Sequence, residues 1–133
     1  MAGELIEEII EEIKELFNTK NAEFNVGQPE KTEDNTLLVE IDFKKPIKLT
    51  DEERDELYDL LRNLGFHLMN GVSNQVNNFI DYKEWVGEDE FENDHGDEVI
   101  IHYTKVRTGG KTTFFIDKIV VEENTQEYVN ELY

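Results

Sequence analysis

VIIHYTKVRTGGKTTFFIDKIVV, residues 99–121, is the stretch from which the fold is most readily inferred. Its two halves are rich in β-branched and aromatic residues, which favour strands. They flank RTGG, residues 107–110, a sequence typical of a tight turn. We therefore predict a β-hairpin over residues 99–121. Against one Asp, the hairpin carries four basic residues, which are Lys105, Arg107, Lys111 and Lys118.

A second hairpin is predicted over residues 22–43, from AEFNV at its start and TLLVEIDF at its end. In TLLVEIDF the apolar residues alternate with Glu40 and Asp42, which is the period of a strand with one buried face. The polar stretch between the two strands contains Gly27 and Pro29 and is predicted as the connecting loop.

Two amphipathic helices are predicted, over residues 4–17 and 51–63. In the first, ELIEEIIEEIKELF, apolar residues recur every three or four positions and form one stripe. The second follows Thr50, which with Glu53 has the spacing of a capping box. Gly65 is a natural stop just beyond the end of that helix.

The rest of the chain has weaker patterns. We interpret FHLM, residues 66–69, as a short strand and SNQVNNFIDYKEW, residues 73–85, as a helix, although its asparagines are poor helix formers. Residues 87–98 are predicted as an acidic loop and residues 125–133 as a short helix. The elements together predict a single α+β domain, with an antiparallel sheet of four to five strands built from two hairpins and helices packed mainly on one face.

The strongest feature of the composition is a net charge of −19, from 32 acidic and 13 basic residues. Such a chain is repelled by nucleic acid and by anionic membranes and is attracted to basic surfaces. Solubility, adaptation to salt, a basic partner and mimicry of nucleic acid each explain an acidic chain. Adaptation to salt is disfavoured because ten of the basic residues are Lys. The N-terminus lacks the pattern of a secretory signal, and we expect a cytoplasmic protein.

The acids are placed in two segments without balancing charge. In the first helix they form rows at four-residue spacing, where like charges cost a few tenths of a kcal/mol per pair. The helical rise puts neighbours in a row about 6 Å apart, which is on the scale of phosphate spacing in nucleic acid. Residues 88–98 add seven carboxylates and no Lys or Arg. We predict thirteen partner-binding acids, which are Glu4, Glu7, Glu8, Glu11, Glu12, Glu15, Glu88, Asp89, Glu90, Glu92, Asp94, Asp97 and Glu98.

Motifs for catalysis are absent from the sequence. There is no Cys, and Ser73, the only serine, lies in GVSNQ rather than in GxSxG. The three His have no metal-ligand spacing. Aligning Gly96 with the invariant glycine of an EF-hand loop puts Phe91 at the first ligand position, so that motif fails. We therefore predict no enzymatic activity, no cofactor and no metal site.

In composition and size the chain resembles the DNA-mimic proteins that phages and mobile elements direct at restriction enzymes or CRISPR effectors. It is also similar to bacterial immunity proteins that neutralise nuclease toxins. The prediction is a small anti-restriction or anti-CRISPR inhibitor that binds a basic nucleic-acid-binding site of a partner protein, and that binds neither nucleic acid nor membrane. One alternative is an immunity protein that neutralises a nuclease toxin. The other is a plain acidic interaction domain without mimicry, in which the basic hairpin pairs with the acids of residues 88–98 within the chain or across a dimer.

Overall fold

A computed structural model describes residues 4–18 and 23–125 of the chain. It contains two helices and seven strands. In chain order these are α1 (Glu4–Asn18), β1 (Phe24–Val26), β2 (Glu30–Lys31), β3 (Thr36–Leu49), α2 (Asp51–Asn63), β4 (His67–Asn78), β5 (Tyr82–Glu92), β6 (Glu98–Thr108) and β7 (Lys111–Asn124). Neither α1 nor α2 is long and apolar enough to cross a membrane.

All seven strands belong to one antiparallel sheet with the order β1-β3-β7-β6-β5-β4, and β2 pairs with β3 beside this path. The chain is therefore α+β, as predicted, but the expected four to five strands are too few. β6 and β7 pair across the RTGG turn, and β1 pairs with the end of TLLVEIDF, with Phe24 opposite Phe43. Residues 44–49, which the sequence left as a connection, extend β3 to Leu49.

The main correction concerns residues 67–98. The predicted helix over residues 73–85 is wrong, because this stretch forms most of β4, a turn and the start of β5. The predicted acidic loop over residues 87–98 is also wrong, since β5 runs to Glu92 and β6 begins at Glu98. The four glutamates of β5, at positions 84, 88, 90 and 92, are the polar half of a strand with period two. The other half consists of Trp85, Gly87, Asp89 and Phe91. Because Gly87 and Asp89 are not large apolar residues, this half does not show the alternation typical of a strand.

Strand register divides the side chains between two faces of the sheet. One, called the core face, carries fully buried residues that lie opposite one another on neighbouring strands. They include Val39, Ile41, Phe91, Val99, Ile101, Ile119 and Val121. Both helices contact this face. The ring of Phe17 packs edge-on against Phe43 at 5.1 Å, and the ring of Tyr58 packs edge-on against Phe91 at 5.1 Å.

The helices form where the sequence predicts them. The apolar stripe of α1 is buried in the core, and burial of each large apolar side chain stabilises the fold by roughly 1.5–3 kcal/mol. The capping box of α2 is complete, because Glu53 N donates to Thr50 Oγ1 at 3.2 Å and Thr50 N donates to Glu53 Oε1 at 2.9 Å. Gly65, just beyond α2, has a φ of +93° that disfavours other residues.

The sheet extends beyond the helices at β4. Every residue of β4 except Asn77 is exposed, including Leu68, Met69 and Val72. The sequence predicts helices packed mainly on one face of the sheet. In the structure the helices do not clearly cover one face of the whole sheet, because β4 extends beyond them. The face opposite the core face is called the open face below. The predicted helix over residues 125–133 falls almost entirely on residues outside the described part of the chain.

Candidate interaction surfaces

The outer sides of α1 and α2 form an acidic surface, called the helix surface. α1 carries six Glu and one Lys, and α2 carries six acids and two Arg. The six predicted partner-binding acids of α1 are all exposed. They are Glu4, Glu7, Glu8, Glu11, Glu12 and Glu15. No basic residue lies in the last turn of α1, where the helix dipole favours positive charge.

Acids of both helices lie around a groove of about 420 Å³, which Leu60 and Leu64 also line. Glu12 of α1 and Glu56 and Asp59 of α2 line this groove. Glu15 joins Glu12 and Glu56 around an adjoining depression of about 300 Å³. Local periodicity does not show how two helices pack, so the sequence alone could not place Glu56 and Asp59 beside α1.

Two ion pairs offset a small part of the negative charge on the helix surface. Lys14 Nζ lies 3.9 Å from Glu11 Oε1. Arg62 Nη1 donates to Asp59 Oδ1 at 2.5 Å. The members of both pairs are 43–76% exposed, and such pairs contribute about 0–1 kcal/mol because water screens them. The surface keeps a large excess of negative charge.

The open face of the sheet carries a second group of acids, called the sheet acids, which are Glu88, Glu90, Glu92, Glu98 and Glu122. Within this group Glu98 lies between Glu92 on β5 and Glu122 on β7. Like charges directly opposite on adjacent strands destabilise a sheet. Partial burial, followed by the charges of Glu122, Glu92 and Glu90, raises the pKa of Glu98. Negative charge on the neighbouring carboxylates therefore disfavours ionisation of Glu98.

Basic groups are interspersed with acids farther along the open face. His102 Nδ1 lies 3.3 Å from Glu88 Oε1. Lys118 Nζ lies 3.7 Å from Glu40 Oε1 on the neighbouring strand β3. His102 of the hairpin thus contacts Glu88 of residues 88–98 within the chain. Lys118 pairs elsewhere, and Lys105 Nζ lies 5.0 Å from the centre of the Trp85 ring.

Asp89 and Asp97, which are among the predicted partner-binding acids, accept hydrogen bonds that hold the fold together. Asp89 lies on the core face and accepts a hydrogen bond from the hydroxyl of Tyr58. Asp97 is only 5% exposed and accepts hydrogen bonds from Asn124 N at 2.6 Å and Asn93 Nδ2 at 2.8 Å. We therefore no longer assign Asp89 and Asp97 to partner binding, because their carboxylates form hydrogen bonds within the fold. Asp94, in the same turn as Asp97, is exposed.

The two predicted acidic segments do not join into one surface. α1 packs on the core face through Phe17 and its apolar stripe, so its glutamates point away from the sheet on that side. Glu88, Glu90, Glu92 and Glu98 lie on the open face. The molecule therefore has two separate acidic surfaces on opposite sides of the sheet, and the acids of α1 converge with those of α2 instead.

Positive charge gathers at the opposite end of the strands from the turn that holds Asp97. Lys83 and Arg107 are directly opposite each other on β5 and β6. Both line a cleft of about 390 Å³ between the tips of the β4–β5 and β6–β7 hairpins, beside Ile80 and Tyr82. Asp81 lines the same cleft, so two cationic side chains and one carboxylate lie there together.

Residues 4–18 and 23–125 include His, Asp and Glu side chains, which are potential metal ligands. Within these residues no three side chains of His, Asp or Glu are placed to hold a metal ion. Comparison with known proteins gave no match to a family model, to a curated protein or to a solved structure.

Proposed function

We propose that the protein is a small, non-enzymatic inhibitor that acts in the cytoplasm and occupies the basic nucleic-acid-binding site of a partner protein. The helix surface is its binding surface. The observation that carries the proposal is the convergence of Glu12 and Glu15 of α1 with Glu56 and Asp59 of α2 around one groove.

Structural needs account for only part of this charge. Asp51, Glu52 and Glu53 lie in the first turn of α2, where the helix dipole stabilises acids. Glu56 and Asp59 lie beyond that turn. Glu15 lies in the last turn of α1, where the dipole is unfavourable for an acid. A surface shaped by stability alone would alternate the two signs of charge, because like charges at helical spacing repel.

The dimensions of the helix surface suit a site that holds phosphates. Acids one turn apart on a helix lie about 6 Å from each other along the axis. Glu12 and Glu15 of α1 lie close to Glu56 of α2 around the groove and the depression beside it, so both helices contribute acids. Nucleic acid offers rows of negative charge with a rise of about 3.4 Å per strand. Lysines and arginines that grip phosphates would find carboxylates at comparable spacing.

An immunity protein that neutralises a nuclease toxin would use the same surface and the same chemistry, so it is a variant of this proposal with a different target. A plain interaction domain is the second candidate. It is favoured by a different observation, the exposed apolar side chains of β4 and β5. The two candidates separate on whether binding depends on the helix surface and competes with nucleic acid.

Two triple variants with the same change of net charge test the proposal. The first, Glu12→Gln with Glu15→Gln and Glu56→Gln, neutralises the helix surface. The control, Glu90→Gln with Glu92→Gln and Glu98→Gln, neutralises sheet acids. Each tagged protein is used to capture partners from bacterial lysate at low salt, and captured proteins are identified by mass spectrometry.

Wild type and the sheet control should capture a nucleic-acid-binding protein that duplex DNA or RNA displaces. The helix variant should capture at least about tenfold less of this protein, because it lacks the carboxylates that pair with partner cations. Recovery of no nucleic-acid-binding protein would show that the proposal is wrong. Equal capture by the two triple variants would show that the helix surface is not the binding surface.

A further inference from the structure

The large apolar side chains that are exposed among the described residues all fall within residues 68–86. They are Leu68, Met69, Val72, Val76, Phe79, Ile80, Tyr82 and Val86. Ile80 is 97% exposed, and Met69 and Phe79 are each 64% exposed. A group of exposed apolar residues confined to one element marks a contact surface, whereas single ones scattered over a protein do not.

Most of these residues lie on or beside β4, the last strand of the sheet. β4 pairs with β5 on one side and has no strand neighbour on the other among the described residues. Its twelve residues, HLMNGVSNQVNN, contain no Asp, Glu, Lys, Arg or Pro. Proteins usually protect a free edge with Lys, Pro or a very short strand. The register shifts at Leu68/Asn70 and Gln75/Asn77 leave a regular run of free edge between them.

We propose that β4 pairs antiparallel with β4 of a second copy of the chain, giving a dimer with one continuous sheet. Charge decides which part of the surface a second copy can approach. Each chain has a net charge of −19, so two copies repel wherever the helix surface or the sheet acids would meet. β4 is a long strand without a formal negative charge, and there the copies can approach closely.

The regular run of β4 is suited to pairing with itself. Antiparallel pairing about a two-fold axis perpendicular to the sheet brings the same residues of both copies together. Asn70, Val72 and Asn74 lie on the open face of β4, opposite Glu90, Glu88 and Val86. Across the new seam the valines meet near the axis and the amides can hydrogen-bond on either side. With seven strands in each copy, the combined sheet has fourteen, near the upper end of the ~8–15 strands found in large open sheets.

The effect of salt distinguishes this dimer from binding to a basic partner. The Debye length falls from about 10 Å at ~0.1 M salt to about 3 Å at ~1 M. Added salt therefore screens the repulsion between two acidic copies and should strengthen the dimer. The same salt should weaken binding of the helix surface to a basic protein. Failure of one proposal is thus measurable separately from failure of the other.

Matched lysine variants test the edge. Val72→Lys places a charge on the free edge, while Val86→Lys places the same charge one strand inward at similar exposure (47% for Val72 and 43% for Val86). Val72 is directly opposite Glu88, so its lysine has a partner within the chain and the fold should be retained. Sedimentation velocity is recorded over a concentration series at ~0.1 M and ~1 M salt.

Wild type and Val86→Lys should dimerise, more tightly at high salt. Val72→Lys should weaken the dimer about tenfold or more, since an edge lysine opposes strand addition. Amide exchange of residues 70–75 should slow as wild-type concentration rises. A wild type that stays monomeric throughout the series at high salt, or a Val72→Lys dimer as tight as the Val86→Lys dimer, would overturn the proposal. Protection of residues 70–75 only by an added basic peptide would overturn it as well.

Discussion

The hydroxyl of Tyr58 donates a hydrogen bond to the carboxylate of Asp89, which joins α2 to β5 across the core face. Burial, and then the hydrogen bond to Asp89, raises the pKa of Tyr58 above its ordinary value. The tyrosine therefore stays protonated as the donor. Asp89, which the sequence placed among the partner-binding acids, is here part of the attachment of a helix to the sheet.

Replacing Tyr58 with Phe should therefore destabilise the protein. The change leaves the half-buried carboxylate of Asp89 without this donor, at a cost of about 1–2 kcal/mol in the free energy of unfolding. Tyr82→Phe is the control, because the Tyr82 hydroxyl donates to Glu84 at 3.2 Å in an exposed position. Urea denaturation of both variants measures the difference. Equal stability of the two would contradict a structural role for Asp89.

Gly87→Ala should be strongly destabilising. A Cβ at this buried position would collide with the Tyr103 hydroxyl and with the backbone oxygen of Val72. Overpacking of this kind costs about 1–3 kcal/mol. Gly27→Ala is the matched control, since its Cβ would lie 3.5 Å from the nearest atom, Glu40 O. Thermal unfolding should show a clear loss for position 87 and little change for position 27.

Asp97→Ala should destabilise the turn between β5 and β6. It removes the acceptor for Asn124 N and for Asn93 Nδ2, which should lower the free energy of unfolding by about 1–3 kcal/mol. Asp94→Ala, an exposed change in the same turn with the same loss of charge, should be close to neutral. If partner binding falls for Asp97→Ala while its stability is unchanged, the assignment of Asp97 to the fold is wrong.

Glu98 makes stability depend on pH. Its pKa is raised in the folded protein, so the folded state holds this proton more tightly than the unfolded state. The contribution of Glu98 is therefore most favourable at acid pH and is lost as pH rises from about 4.5 through the folded value. Glu98→Gln should stabilise the protein at pH 7 by a few tenths of a kcal/mol, roughly the scale of a like-charge pair on adjacent strands.

Chemical denaturation of wild type and Glu98→Gln between acid and neutral pH measures this effect. The difference in stability between the two proteins should shrink as the pH falls. Glu30→Gln is the control, because it removes an acid from the short exposed strand β2. A difference that grows on acidification would contradict the interaction among the sheet acids.

Local signals in the sequence were sufficient for α1, α2 and the β6–β7 hairpin. The stripe of α1, the Thr50–Glu53 capping box and the RTGG turn each specify structure over a few residues. β5 was missed because Gly87 and Asp89 stand at inward positions, where an apolar residue would have revealed the period of a strand. The Asn-rich β4 carried no alternation, since neither of its faces is covered.

The candidate site depends more heavily on tertiary structure. Exposure of the α1 glutamates follows from helical periodicity and could be anticipated. Their convergence with Glu56 and Asp59 depends on how the two helices pack, and the burial of Asp97 depends on Asn124, 27 residues away. Charge counts along the chain could not separate an acid that is exposed to a partner from one that holds a turn together.

The most direct test of the binding surface is the affinity between this protein and the captured nucleic-acid-binding protein, measured at increasing salt concentrations. The measurement compares wild type with the two triple variants described above. Under the proposed function, wild type and the sheet control bind alike and weaken steeply with salt, and the helix variant binds at least about tenfold more weakly, with a shallower salt dependence. Equal affinity and equal salt dependence for wild type and the helix variant would contradict it.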